Sequence, residues 1–98
     1  MTDDGDDSMK KKDVWTTLEE MRKVFSNNKS TLRALDAFLQ AKESYTMKDT
    51  VDNCIAMQTA YVDIYEDIKV AWYAGKYNEP TFRRYVEALK TFDDEEDV

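Results

Sequence analysis

The stretch that decides the fold is residues 46–75, which read TMKDTVDNCIAMQTAYVDIYEDIKVAWYAG. No glycine or proline interrupts it before Gly75, and the Thr46 hydroxyl can accept a hydrogen bond from an amide of a first helical turn. Gly75 suits the left-handed conformation that closes many helices. The stretch therefore predicts a single helix of about 28 residues, or about 42 Å at a rise of 1.5 Å per residue.

The apolar residues of this long helix recur at helical spacing, but they cover far more than one narrow stripe. At 100° per residue they spread over roughly 200° of the helix surface. The predicted main stripe consists of Met47, Val51, Cys54, Tyr61, Tyr65, Ile68 and Trp72. Flanking positions widen it, namely Ile55 and Val62 on one side and Met57, Ala60, Ile64 and Ala71 on the other. Such a helix needs neighbours on two sides.

The rest of the apolar pattern predicts three shorter helices, at 14–27, 30–43 and 79–92. Their predicted buried faces are formed by Trp15, Leu18, Met21 and Phe25 in the first, Leu32, Leu35, Phe38 and Leu39 in the second, and Phe82, Tyr85, Val86, Leu89 and Phe92 in the last.

Polar residues next to these apolar runs predict where the shorter helices begin. The first has two overlapping capping-box candidates, which start at Thr16 and at Thr17. Ser30 is the predicted N-cap of the second helix. Asn78 is the predicted N-cap of the last, where Pro80 fits the first turn because its missing N–H is not needed there.

Four helices without strands predict an all-α fold, a four-helix bundle-like domain with the long helix at its centre. The predicted domain covers residues 13–92, and the polar segments 1–12 and 93–98 are predicted to be disordered tails. The shorter helices span only about 18–21 Å each. We therefore expect a second copy of the chain to cover part of the long helix, most simply in a symmetric homodimer.

The net charge of −7 is concentrated at the two ends of the chain. Residues 1–13 contain five aspartates and three lysines, and residues 93–97 are all acidic. Residues 14–92 hold 11 basic and 11 acidic side chains, so the folded body is predicted to be neutral. A neutral body beside an acidic tail makes nucleic acid an unlikely partner.

The sequence gives little reason to expect a membrane or an oxidising compartment. It has no run of about 18 apolar residues, and no secretory signal is visible at its start. Cys54 is the only cysteine, so no intrachain disulfide can form. We therefore expect a cytoplasmic protein without a membrane partner.

The residue types that usually carry catalysis are missing or isolated. There is no histidine, and a lone cysteine cannot form a structural zinc site. No glycine-rich loop is present to hold a phosphate. Asp63 and Asp67 lie one turn apart, which is typical of a solvated helix face. We therefore predict no enzyme, no catalytic or metal-binding residues and no cofactor.

The second half of the chain is rich in aromatic residues, and tyrosine and tryptophan are enriched at protein interfaces. This enrichment predicts a non-enzymatic protein–protein interaction module, an adaptor or inhibitor of another protein, which self-associates through the long helix. The predicted partner-binding residues are Tyr65, Val70, Trp72, Tyr73, Tyr77, Arg83 and Arg84.

Two alternatives involve nucleic acid. Gly75 and the helix at 79–92 resemble the turn and second helix of a helix-turn-helix regulator. The residues that would face a groove are Thr81, Arg83, Arg84 and Lys90. The acidic tails instead suggest a small inhibitor that mimics nucleic acid, of the kind that phages and plasmids encode. Mimicry needs carboxylates fixed on a folded surface, whereas the surplus charge here lies in the tails.

Overall fold

The computed structural model describes residues 11–94, and within that range the chain forms four α-helices and no strands. The helices are α1 (Lys11–Val24), α2 (Lys29–Met47), α3 (Val51–Tyr73) and α4 (Glu79–Asp94). The predicted all-α, bundle-like fold is thus confirmed. Helix α1 begins two residues inside the predicted tail 1–12, and α4 continues two residues into the predicted tail 93–98. The remainder of both predicted tails, residues 1–10 and 95–98, lies outside the described residues.

The long helix is shorter at its start than the sequence predicts. Met47 is the last residue of α2, Lys48 is extended, and α3 begins at Val51, so α3 has 23 residues. The Thr50 side chain accepts a hydrogen bond from the Asn53 amide at 3.1 Å. Thr50 is therefore the N-cap, and the prediction of Thr46 is wrong.

The break between α2 and α3 is closed by the side chain of Asn53. Its Nδ2 donates to the carbonyl oxygens of Lys48 at 2.9 Å and Ser44 at 3.3 Å. Each of these carbonyls also accepts a backbone hydrogen bond, Ser44 from the Lys48 amide and Lys48 from the Thr50 amide, both at 2.9 Å. A side chain of the following helix thus adds hydrogen bonds to the end of the preceding one, which a pattern of apolar residues does not reveal.

The C-terminal end of α3 agrees with the prediction. Gly75 has a φ of +87°, the left-handed conformation that only glycine adopts without strain. The Gly75 amide donates to the Trp72 carbonyl at 2.9 Å, and the Lys76 amide donates to the Ala71 carbonyl at 3.0 Å. These two bonds satisfy carbonyls at the end of α3 and turn the chain toward α4.

The other predicted helix starts have mixed outcomes. Asn78 caps α4 as predicted, because its Oδ1 accepts a hydrogen bond from the Thr81 amide at 3.2 Å. Asn28, not Ser30, caps α2. Thr16 and Thr17 lie inside α1, and the Thr16 hydroxyl donates to the Lys12 carbonyl. The capping-box prediction for α1 is therefore wrong.

The core lies where the helices pack in the pairs α2–α3, α1–α4 and α3–α4. Its largest fully buried side chains include Leu18, Met21, Phe25, Leu35, Phe38, Ile64, Ile68, Tyr85 and Leu89. Of the predicted apolar face of α1, Trp15 stays half-exposed and Val14 is buried in its place. The result is a flat molecule with extents of 38 × 38 × 18 Å.

Helix α3 turns a different face to the core than the predicted main stripe. Its buried residues are Met57, Ala60, Ile64 and Ile68, so of the predicted stripe only Ile68 is fully buried. Of the other members of that stripe, Val51 is exposed, whereas Cys54, Tyr61, Tyr65 and Trp72 are half-buried. None of the four helices in residues 11–94 has the length and apolarity that crossing a membrane requires.

Candidate protein-binding surface

The main unusual surface of the molecule is a line of exposed apolar side chains on α3. Val51 is 73% exposed, Ile55 56% and Val62 53%. At 100° per residue these three positions fall within about 40° of one another on the helix. They span about 17 Å along its axis. We call this set, Val51, Ile55 and Val62, the α3 stripe.

The α3 stripe is exposed because the neighbouring helices cover other sides of α3. The buried residues of α3 are centred about 150° away from the stripe around the helix axis. On the side of α3 between the buried face and the stripe, the Tyr61 ring meets Phe38 of α2 and the Tyr65 ring meets Phe82 of α4. Within the described residues, no helix packs over Ile55 or Val62.

The charged residues of α3 are mostly acidic, and several border the α3 stripe. Helix α3 carries Asp52, Asp63, Glu66 and Asp67 against a single basic residue, Lys69. Three of the four acidic residues lie to one side of the stripe, since Asp52, Asp63 and Glu66 project about 40–100° from its centre. The Lys69 ammonium is already engaged, at 3.7 Å from the Glu66 carboxylate and 5.4 Å from the centre of the Tyr65 ring.

Three of the predicted partner-binding residues, Val70, Tyr73 and Arg83, are exposed. Val70 is 61% exposed and Tyr73 72%. Tyr73 projects in nearly the same direction as the α3 stripe, three turns beyond Val62. Val70 projects to the acidic side and borders a shallow groove beside Thr31 of α2.

Two other predicted residues, Tyr65 and Trp72, are half-buried and pack within the chain. The Trp72 ring stacks on Phe82 with centroids 4.5 Å apart and 16° between the planes. The Tyr65 ring stacks on Tyr61 at 6.2 Å. Their outer edges line a groove between α3 and α4. Packing thus accounts for much of the surface of both side chains.

Tyr77 belongs to the turn between α3 and α4. Its hydroxyl donates to the Ile68 carbonyl at 2.6 Å, and burial raises the pKa of Tyr77 to about 12. Its ring also meets Phe25 and Tyr85 edge-on. This side chain holds the turn in place and offers little to a partner.

Both predicted arginines are paired with carboxylates. Arg84 donates two hydrogen bonds to Glu20, at 2.9 and 2.7 Å, and so joins α4 to α1. The Tyr85 hydroxyl donates to the same carboxylate at 2.8 Å. The hydrogen bond from Arg84 lowers the pKa of Glu20, against the opposing effect of burial. Arg83 pairs with Glu79 one turn before it in α4, at 2.6 Å.

A second apolar surface lies near the C-terminal ends of α2 and α4. A groove of about 470 Å³ is lined by Trp15 of α1, Leu39 and Met47 of α2, and Phe92 of α4. Met47 is 80% exposed, whereas Trp15 and Phe92 meet edge-on with ring centroids 5.4 Å apart. Lys42 is buried beneath and donates to the Asp93 carbonyl at 2.6 Å.

None of the three residues of the α3 stripe is among the predicted partner-binding residues, although their spacing carries a signal. Val51, Ile55 and Val62 follow one another at intervals of four and seven residues, which places them on one face of a helix. The sequence places Val51 in the predicted main stripe and Ile55 and Val62 beside it, but it does not show on which side of α3 the neighbouring helices lie.

Between Lys11 and Asp94, no three His, Cys, Asp or Glu side chains come together as metal ligands would. Cys54 is half-buried, and its sulfur accepts a hydrogen bond from the Gln58 amide at 3.7 Å. No known family, curated protein or solved structure matches this chain.

Proposed function

We propose that this protein is a non-enzymatic interaction module, an adaptor or inhibitor whose α3 stripe is covered by another polypeptide. The observation that supports this proposal is the exposure of three β-branched apolar side chains in one line on the longest helix. Apolar residues scattered singly are normal on a protein surface, whereas apolar side chains gathered on one face can form an interaction site. Since Cys54 is the only cysteine, we place this activity in the cytoplasm.

Covering the α3 stripe would stabilise a complex through the hydrophobic effect. Fully burying a Val or Ile side chain that was exposed contributes about 1.5–3 kcal/mol. Three such side chains that are already partly buried would contribute a few kcal/mol when a partner covers them. That contribution can form the centre of an interface, with Tyr73 as an aromatic residue further along the same face.

Self-association is the second form of this proposal. Packing α3 against α3 of a second copy would cover the same stripe in a symmetric dimer. Of the two nucleic-acid alternatives, the helix-turn-helix reading gains no support, because Arg83 and Arg84 are both held by carboxylates. The mimic reading depends on residues 93–97, most of which lie outside the described range.

The proposal is tested by using the full chain to capture proteins from the cells that produce it. The variant Ile55→Gln with Val62→Gln makes the stripe polar, and the matched control Ile55→Leu with Val62→Leu keeps it apolar. Glutamine and leucine have similar helix propensities, so both double variants should fold alike.

We expect the original chain and the leucine variant to retain the same bound protein, and the glutamine variant to lose it. Circular dichroism would first confirm equal helix content. Recovery of the same bound proteins with all three chains would show that the stripe is not the contact surface and would overturn the proposal.

A further inference from the structure

We infer that the polypeptide that covers the α3 stripe is a basic amphipathic α-helix of another protein. This inference rests on the proposed function and identifies the class of partner. A helix suits the site because the three residues of the stripe lie in a straight line about 17 Å long on one exposed face of α3. An amphipathic helix that presents apolar residues three and four positions apart would follow such a line.

The charges beside the stripe favour a positively charged partner. Asp52, Asp63 and Glu66 lie on one side, and Asp67 lies further round the helix. Two basic groups share this face: Lys69, which projects within about 20° of the centre of the stripe and pairs with Glu66, and Arg33 of α2, which lines a groove with Asp63, Glu66 and Asp67. The four carboxylates of α3 exceed these two basic groups by two. Lysines or arginines flanking the apolar face of an incoming helix would meet these carboxylates, and this complementarity would speed association.

A second copy of the chain fits these charges less well. Each α3 brings four acidic side chains and one lysine, so pairing two of them adds negative charge to negative charge. The whole chain also carries a net charge of −7. Like charges brought together at an interface oppose association, and a basic partner avoids this cost.

The experiment uses two synthetic helical peptides of about 18 residues as probes. Both carry leucine at positions three and four apart. The basic peptide has lysine at the flanking positions, and the acidic peptide has glutamate there. Binding to the full chain is measured by isothermal titration and by fluorescence anisotropy at low salt. We expect the basic peptide to bind at least tenfold more tightly, and added salt to reduce this preference.

Two double variants, each compared with a matched control, locate the binding site. Ile55→Gln with Val62→Gln should weaken the basic peptide at least tenfold relative to the leucine control described above. Asp63→Lys with Glu66→Lys should also weaken it about tenfold. Glu19→Lys with Glu43→Lys changes the net charge by the same amount at exposed positions away from the stripe, and it should change binding less than threefold.

The contradicting outcomes separate the inference from the proposed function. Equal binding of both peptides through the stripe would overturn the inference of a basic partner helix but keep the proposed interaction surface. A dimer of the unmodified chain that the glutamine substitutions dissociate would have the same consequence. If the basic peptide binds the glutamine variant as tightly as the original chain, its binding site would be the acidic chain ends, and the inference would again be overturned. If neither peptide binds at about 1 mM and the chain stays monomeric, both proposals fail.

Discussion

The Glu20 carboxylate joins α1 to α4 through three hydrogen bonds. It accepts two hydrogen bonds from Arg84 and one from the Tyr85 hydroxyl, so a single residue of α1 fixes two residues of α4. Tyr85 is almost completely buried, while the carboxylate and the guanidinium are each about 40% exposed. Solvent therefore screens the ion pair, and the contact to buried Tyr85 carries more of its structural effect.

Replacing Glu20 with glutamine should lower the free energy of unfolding by about 1 kcal/mol at neutral pH. The pKa of Glu20 in the folded state lies below its ordinary value of 4.5. Its stabilising effect is therefore complete above that value and is lost as the pH falls through the lower pKa of the folded state. Urea unfolding from pH 7 down to pH 3 measures the difference between the two proteins.

The control for this measurement is Glu19→Gln, which removes an exposed carboxylate from the same turn of α1. Its unfolding free energy should follow that of the original chain within about 0.5 kcal/mol at each pH. If the gap between the Glu20→Gln variant and the original chain stayed constant down to pH 3, the low pKa would not contribute to stability.

At the scale of the helices, most of the fold follows from local sequence signals. The four helices arise from apolar spacing, and Gly75 and Asn78 set the turn between α3 and α4 as predicted. The corner between α2 and α3 does not follow, because the Asn53 side chain closes it with two bonds to the preceding helix. Such a contact depends on the three-dimensional path of the chain and leaves no periodic signal.

The candidate site shows the same limit. Apolar spacing indicates which residues share a face of α3, and it correctly indicates an apolar surface on more than one side. It does not indicate which of those sides the neighbours cover. Helix α3 is therefore rotated relative to the prediction, so that Ile64 is buried and Ile55 is exposed. Half-buried aromatics such as Trp72 look like interface residues in the sequence but pack against Phe82.

Gly75→Ala should destabilise the protein by about 1 kcal/mol, because alanine tolerates the left-handed conformation poorly. A Cβ at this position would meet no atom within 4 Å, so the cost is one of backbone conformation alone. Thermal unfolding followed by circular dichroism measures it. Gly75→Asn is the matched comparison, because asparagine adopts this conformation more readily, and its cost should be smaller. Equal costs for the two variants would argue against this explanation.

At the scale of the whole molecule, the flat arrangement explains why α3 keeps an open face. Helices α2 and α4 flank α3, and α1 packs against α4, so the described residues supply no further helix to lie over the stripe. A molecule only 18 Å across in its shortest direction has little depth in which to hide a helix on all sides. The long helix therefore contributes to the core and to the surface at once.

The central claim is that Ile55 and Val62 are open to solvent in the folded protein. Paramagnetic relaxation of methyl groups by a water-soluble nitroxide tests this directly, and Ile64 and Ile68, both fully buried in the same helix, provide the internal reference. We predict strong relaxation of the Val51, Ile55 and Val62 methyls at low protein concentration and weak relaxation of the two reference residues. Equal protection of Ile55 and Ile64 under those conditions would contradict the account.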